Sequence, residues 1–285
     1  MKLGLAFANV GPFASAAGAA AVGRAAQAAG LDSVWTVEHV VVPAGYESVY
    51  PYSSSGKMPA PDTVDIPDPL VWLTWVAAHT ESLKLATGIV ILPQRNPALL
   101  AKECATLDQL SGGRLVLGIG VGWLAEEFAA LGVSFAERGA RTDEYIEALR
   151  ELWSAGVADY SGRFVNYREL HSNPKPVSGT IPIVVGGHTL AAARRAGRYG
   201  DGFYPGRPTA ADLAPLLEEM RRAAVDAGRD PDAIDVTVGG MPTREHVERF
   251  AEAGVHRFLC PPPTFDPAAL PEALEAFVAD VAPVL

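Results

Sequence analysis

The sequence predicts an α/β fold, a parallel (β/α)8 TIM barrel with insertion loops, from three observations. A short apolar run followed by a longer helix-like stretch recurs about eight times along the 285 residues, the repeat number that closes a parallel barrel. The runs are continuous in Val, Ile and Leu rather than alternating, as in strands buried on both faces. No Gly-x-Gly-x-x-Gly turn follows the first strand, which removes the main support for an open doubly wound sheet.

Taken in order, the expected strands are Leu3–Ala8, Ser33–Val37, Lys84–Ile91, Arg114–Gly118, Ile181–Val185, Gly202–Tyr204, Ile234–Val238 and His256–Cys260. The first helix, Ala16–Ala29, is Ala-rich and stops at Gly30, a glycine suited to a C-terminal cap. The second, Leu70–His79, follows Asp68-Pro69, an N-cap residue with Pro at the first helical position. The remaining helices are Pro97–Leu110, Arg138–Trp153, Thr189–Arg198, Ala210–Ala227, Thr243–Ala253 and Pro267–Val281. Two stretches lack helical periodicity, Val40–Pro67 and Ala155–Thr180, and long loops in a compact domain are usually lids or binding loops. No linker, repeat or low-complexity tract interrupts 1–285, so one domain is expected.

Composition narrows the function classes. Hydrophobic residues make up 49% and charged residues 20%, a balance that buries a core and excludes bulk disorder. No apolar run approaches the ~20 residues of a membrane-spanning helix, and Met1–Phe7 reads as a strand rather than a signal peptide. Two cysteines, Cys104 and Cys260, exclude a disulfide framework, so a cytoplasmic protein without a membrane partner is expected. With 23 basic against 33 acidic residues the net charge is −10, and no Lys/Arg track for a phosphate backbone stands out; nucleic acid is not an expected partner.

In such a barrel the working residues lie just after the strands. None of the five lysines does, which disfavours a Schiff-base aldolase. The six histidines lack paired ligand spacing, so no metal site is expected. Gly186-Gly187-His188-Thr189 opens a helix; its glycines and exposed amides suit a phosphate, and the same residues serve equally as a tight strand-to-helix turn. Arg207, one strand on, supplies a positive partner or is a solvated surface residue. Alternate glycines at 118, 120 and 122 leave room for something flat against the backbone, or for close strand–helix packing. His39 emerges at the mouth beside Glu38, and Trp123 reads as a pocket wall.

The stretch Ala86-Thr87-Gly88-Ile89-Val90-Ile91-Leu92-Pro93-Gln94-Arg95-Asn96-Pro97 resembles the bacterial luciferase-like flavin monooxygenase superfamily. So do Leu110-Ser111-Gly112-Gly113-Arg114 and Gly118-Ile119-Gly120-Val121-Gly122-Trp123. The likeness spans essentially the whole chain and is nearest to the actinobacterial branch that uses the deazaflavin coenzyme F-420. It implies an oxidoreductase moving hydride to or from a small organic molecule, with a homodimer as the expected assembly. It also implies that Gly88-Ile89 forms a non-prolyl cis bulge under the coenzyme ring and that Glu38-His39 is the family's acid–His pair near ring and substrate. Gly186, Gly187 and His188 would hold the coenzyme phosphate, while Gly120 and Gly122 border the coenzyme. In the sugar-phosphate dehydrogenases of the superfamily a glutamate follows the Gly-x-Gly-x-Gly segment; here Trp123 stands there, which favours an apolar or aromatic substrate. Two other readings remain open, an FMN-dependent monooxygenase that activates dioxygen and a non-catalytic flavin-binding protein.

Overall fold

A computed structural model of the chain describes every residue except Ala155, which opens the second irregular stretch, and Pro242. Eight parallel strands close into a barrel. They are β1 (Lys2–Leu5), β2 (Ser33–Thr36), an interrupted third made of β3 (Lys84–Thr87) and β4 (Val90–Ile91), β5 (Leu115–Gly120), β8 (Ile183–Gly186), β9 (Gly202–Tyr204), β10 (Asp235–Gly239) and β11 (Arg257–Cys260). Closure is set by Leu3 opposite Phe258 between β1 and β11, and the third strand joins the fourth with Leu85 opposite Leu115.

Helices cover the outside: α1 (Ala16–Ala28), α2 (Pro69–Ala77), α3 (Pro97–Ser111), α4 (Ala125–Ala130), α5 (Arg138–Ser154), α6 (Leu190–Tyr199), α7 (Ala210–Asp226), α8 (Arg244–Glu252) and α9 (Leu270–Val281). Their starts follow local chemistry. The Asp68 carboxylate accepts from the amides of Leu70 and Val71 and Pro69 opens α2, while Asn96 caps α3 in the same way ahead of Pro97. Gly112, at φ 70°, ends α3 in the left-handed region where a Cβ is costly.

Two elements depart from the sequence expectation. Within the second irregular stretch, β6 (Ala158–Ser161) and β7 (Asn166–Leu170) form an antiparallel hairpin. It is fastened to α5 by the Glu144 carboxylate, which accepts from the amides of Arg163, Phe164 and Val165. The short α4 follows β5. By contrast, 40–67 is free of helix and strand among its residues.

Two cores result. The larger lies between strands and helices. The smaller plugs the barrel axis: Trp35, with Ala6, Ala86, Val184 and Leu259 around it. The Trp35 indole donates to Ser33 Oγ at 2.9 Å. Arg257, paired with Asp32 at 2.9 Å, approaches the indole on one side, and Tyr204 approaches it at 5.8 Å. The filled axis leaves no channel between the two ends of the barrel.

Candidate active site

The third strand breaks where the family resemblance implied, at a cis peptide between Gly88 and Ile89. Gly88 N–H donates to Thr36 O at 2.7 Å and Thr87 Oγ1 donates to Gly118 O at 2.7 Å, so both neighbouring strands grip the break. Gly118 is sterically required, because a Cβ there would lie 1.8 Å from Thr87 O. Ile89 itself leans over two flanking glycines: a Cβ at Gly120 would fall 2.8 Å from Ile89 Cδ1, and one at Gly186 2.7 Å from Ile89 Cγ2. Gly122, at φ +78°, makes room for Ile91 and Phe128. The alternate glycines therefore seat an isoleucine platform across three strands.

Glu38 and His39 part company. Along the extended chain their side chains diverge, and Glu38 turns to the break, accepting from Ile91 N–H at 2.5 Å and from Arg95, whose Nε lies at 2.9 Å. Arg95 also reaches Asp68 at 2.6 Å. Burial pushes the Glu38 carboxyl up, against the pull of the Arg95 guanidinium. The carboxylate that meets His39 is Glu127, in the first turn of α4: its Oε2 lies 3.0 Å from His39 Nδ1, and its Oε1 accepts from Val40 N–H at 2.6 Å and Val41 N–H at 3.3 Å. Glu127 is fully buried and the His39 side chain is 9% exposed.

The neighbouring Glu126 fastens the long loop farther along. It accepts from Ser48 Oγ at 2.6 Å and from the amides of Glu47 and Ser48 at 2.6 and 3.0 Å. The Ser48 hydroxyl bond, with those amides, holds its carboxyl down at about 2. So anchored, the loop lays a row of aromatic edges across the mouth. Trp123 contacts His39 at 5.7 Å, Tyr46 at 5.4 Å and Tyr50 at 5.2 Å; Tyr50 meets Tyr52 at 5.5 Å, and Tyr52 meets His188 at 4.8 Å. Burial pushes the Tyr52 phenol up to about 12.

At the far end of that row, Gly186 closes β8 and Gly187 turns at φ +130°. Gly187 N–H is already donated to Tyr204 O at 3.0 Å. Thr189 caps α6 by accepting from Ala192 N–H, so the amides left without an intrahelical acceptor are those of Leu190 and Ala191. His188 lies against Tyr52. The Arg207 guanidinium lies 5.2 Å over the Phe7 ring, and among the described residues it has no ion-pair partner. Phe7, the first residue past Ala6 on β1's exit, sits at φ 55°, a conformation that costs a non-glycine residue about 1–3 kcal/mol and gathers at functional sites.

Sequence reasoning placed His39, Trp123, the break and the Gly186–Thr189 turn at one mouth, and the structure brings them there. It missed Glu127 as the partner of His39, because Glu126 and Glu127 sit at a helix start where acids also serve the dipole. It also missed Arg95 as the counter-ion of Glu38. The signal available was the position of Glu126 and Glu127 just past the strand exit at Gly118–Gly122.

Residues 5–276 match the family model of the luciferase-like monooxygenases. An uncharacterized protein of Mycobacterium tuberculosis is 32% identical over 264 residues, covering 91% of this chain and 93% of the relative. The F-420-dependent glucose-6-phosphate dehydrogenase of Kineococcus radiotolerans is 33% identical over 219 residues, 75% of this chain and 60% of that enzyme. Among solved structures, an F-420-dependent secondary alcohol dehydrogenase in complex with an F-420–acetone adduct superposes with a TM-score of 0.80 at 18% identity, over 98% of each chain; that likeness is one of fold. Monooxygenase RslO1 from Streptomyces bottropensis superposes with a TM-score of 0.69 at 26% identity, over 99% of this chain and 80% of that one.

Proposed function

This chain belongs to the luciferase-like monooxygenase family and is an oxidoreductase, and from that premise we propose that it uses coenzyme F-420 to move a hydride to or from a small apolar or aromatic molecule. The observation that carries the choice of coenzyme is the 33% identity, over three quarters of the chain, to an enzyme named for F-420 dependence. No helix of the described residues is long and apolar enough to cross a membrane, and no cluster of metal-ligating side chains occurs among them.

The residues fit a flat ring with a phosphate-bearing tail. Ile89, seated over Gly120 and Gly186, offers an apolar platform at the mouth. The free amides of Leu190 and Ala191 at the N-terminus of α6, a helix of 10 residues, offer donors and a favourable dipole to an anion. When bound, a deazaflavin supplies two-electron hydride transfer. His39 holds or delivers the proton that accompanies the hydride at the substrate heteroatom, and Glu38 positions the platform through Ile91 and Arg95 rather than touching substrate. Trp123, Tyr46, Tyr50 and Tyr52 exclude water and present ring edges, which favours an apolar or aromatic substrate over a sugar phosphate. Exposed Val71 and Trp75 on α2 and Leu99 and Leu110 on α3 support the homodimer that the resemblance implies.

The likeness to RslO1 favours a second reading, an FMN-dependent monooxygenase. Titration of the protein with F-420 and with FMN, followed by fluorescence quenching, separates the two. F-420 is expected to bind at least about tenfold more tightly, ~1.4 kcal/mol. Equal or reversed dissociation constants move the assignment to the FMN enzymes.

A further inference from the structure

We propose that Glu127 is a positioning residue that fixes the tautomer of His39, an inference that builds on His39 as the acid–base group. The two oxygens of this buried carboxylate have different duties. Oε1 faces two backbone N–H groups, those of Val40 and Val41, which can only donate, so that position must be a bare oxygen. Oε2 lies 3.0 Å from His39 Nδ1. An ionised carboxylate accepts only, so Nδ1 carries the proton and donates, and the neutral ring is left with its lone pair on Nε2. Among the described residues Nε2 has no hydrogen-bond partner in the protein. Trp123, edge-on to the imidazole at 5.7 Å and 87°, opposes rotation of the ring out of this arrangement. Glu38 cannot substitute, since its carboxylate is committed to Ile91 N–H and Arg95.

The same asymmetry makes the conservative variant informative. In Glu127→Gln the Val40 and Val41 amides retain the side-chain carbonyl oxygen, because an NH2 group there would face two donors. The NH2 is thereby turned toward the imidazole, Nδ1 must accept, and the proton moves to Nε2. The loop root stays fastened while the working nitrogen changes character.

The test is long-range 15N–1H correlation on protein labelled with [15N]histidine, at a pH where the ring is neutral, with His39→Gln used to assign the signals. Wild type is expected to show protonated Nδ1 and bare Nε2; Glu127→Gln is expected to exchange the two. Turnover of the F-420-loaded variant should fall by at least about 10²-fold while its dissociation constant for F-420 stays within about threefold. A wild-type His39 with bare Nδ1 overturns the proposal even if the variant fails to fold. So does a Glu127→Gln protein that keeps the wild-type tautomer, or one that exchanges it and turns over normally. If His39→Ala itself turns over normally, the acid–base reading of His39 fails instead, and the tautomer measurement still decides the role of Glu127.

Discussion

Replacing Arg95 with Leu isolates what the Glu38–Arg95 pair does for the break in the third strand. The Glu38 side chain is 2% exposed and holds Ile91 N–H in place. Without Arg95 that amide is the only donor left to it among the contacts described above. Removing one partner of a buried ion pair costs about 3–5 kcal/mol, chiefly because the other charge remains desolvated. The lost contacts to Asp68 and Glu103, 41% and 38% exposed, add little by comparison. The sign of the pH dependence follows from burial. Burial already raises the Glu38 carboxyl and Arg95 opposes it, so in Arg95→Leu the carboxyl rises further. A carboxyl higher in the folded than in the unfolded state binds a proton that the unfolded chain has lost. Its stabilising proton is shed as pH rises, so stability declines upward from the ordinary carboxylate range, by at most ~1.4 kcal/mol per pH unit. Urea unfolding of wild type, Arg95→Leu and the Glu38→Gln/Arg95→Leu double variant at pH 5, 6.5 and 8 reads this directly. The single variant should lose most at pH 8 and least at pH 5, and the double variant should lose that dependence. A penalty below ~1 kcal/mol at pH 8, or one equal at pH 5 and 8, refutes a buried, uncompensated Glu38 as the cause.

His39→Ala should lower turnover of the folded protein by roughly 10²–10⁴-fold, the range of a positioned acid–base group, and should also cost stability because the buried Glu127 loses its side-chain partner; normal turnover of the folded fraction would make His39 a structural residue. Glu126→Ala should speed tryptic cleavage after Lys57, because the bonds to Glu47 and Ser48 that hold the loop are gone. In wild type those bonds persist above the ordinary glutamate value and weaken only as pH falls from there toward about 2, so cleavage rates that already differ little between wild type and variant at pH 7 argue against the clasp. Gly186→Ala puts a Cβ 2.7 Å from Ile89 Cγ2 and 3.1 Å from Ile119 O; displacing Ile89 should cost about 1–3 kcal/mol and weaken F-420 binding, and unchanged affinity would remove Ile89 as the platform.

Strand and helix order was legible because each barrel strand is a short unbroken apolar run and each helix begins or ends on recognisable caps such as Asp68-Pro69 and Asn96-Pro97. The hairpin of β6 and β7 was not, since its residues are mostly exposed and it is held by a side chain, Glu144, from a different element. The glycines at 118, 120 and 122 were visible as unusual, yet their reasons are tertiary: Thr87 O, Ile89 and Phe128 approach them from other strands and from α4. Glu38-His39 shows the same limit at the site. Adjacency in sequence suggested a pair, whereas the carboxylate that meets the imidazole lies 88 residues away. A single sequence displays which groups are available, and the barrel decides which of them face each other.

The loop from 40 to 67 gives the mouth its chemistry by covering it. Its ring contacts run without a gap from His39 through Trp123, Tyr50 and Tyr52 to His188, so they join the His39 end of the mouth to the turn that opens α6. Two adjacent carboxylates on α4 hold the row down, Glu127 at its root and Glu126 at its middle. The hydride transfer proposed above would gain from such a cover, because expelling water from the mouth strengthens the interaction proposed between His39 and a developing charge. The carboxylate that fastens the middle of the row and the one that meets His39 are adjacent in the first turn of α4, so one short helix sets both the cover and the contact to the imidazole.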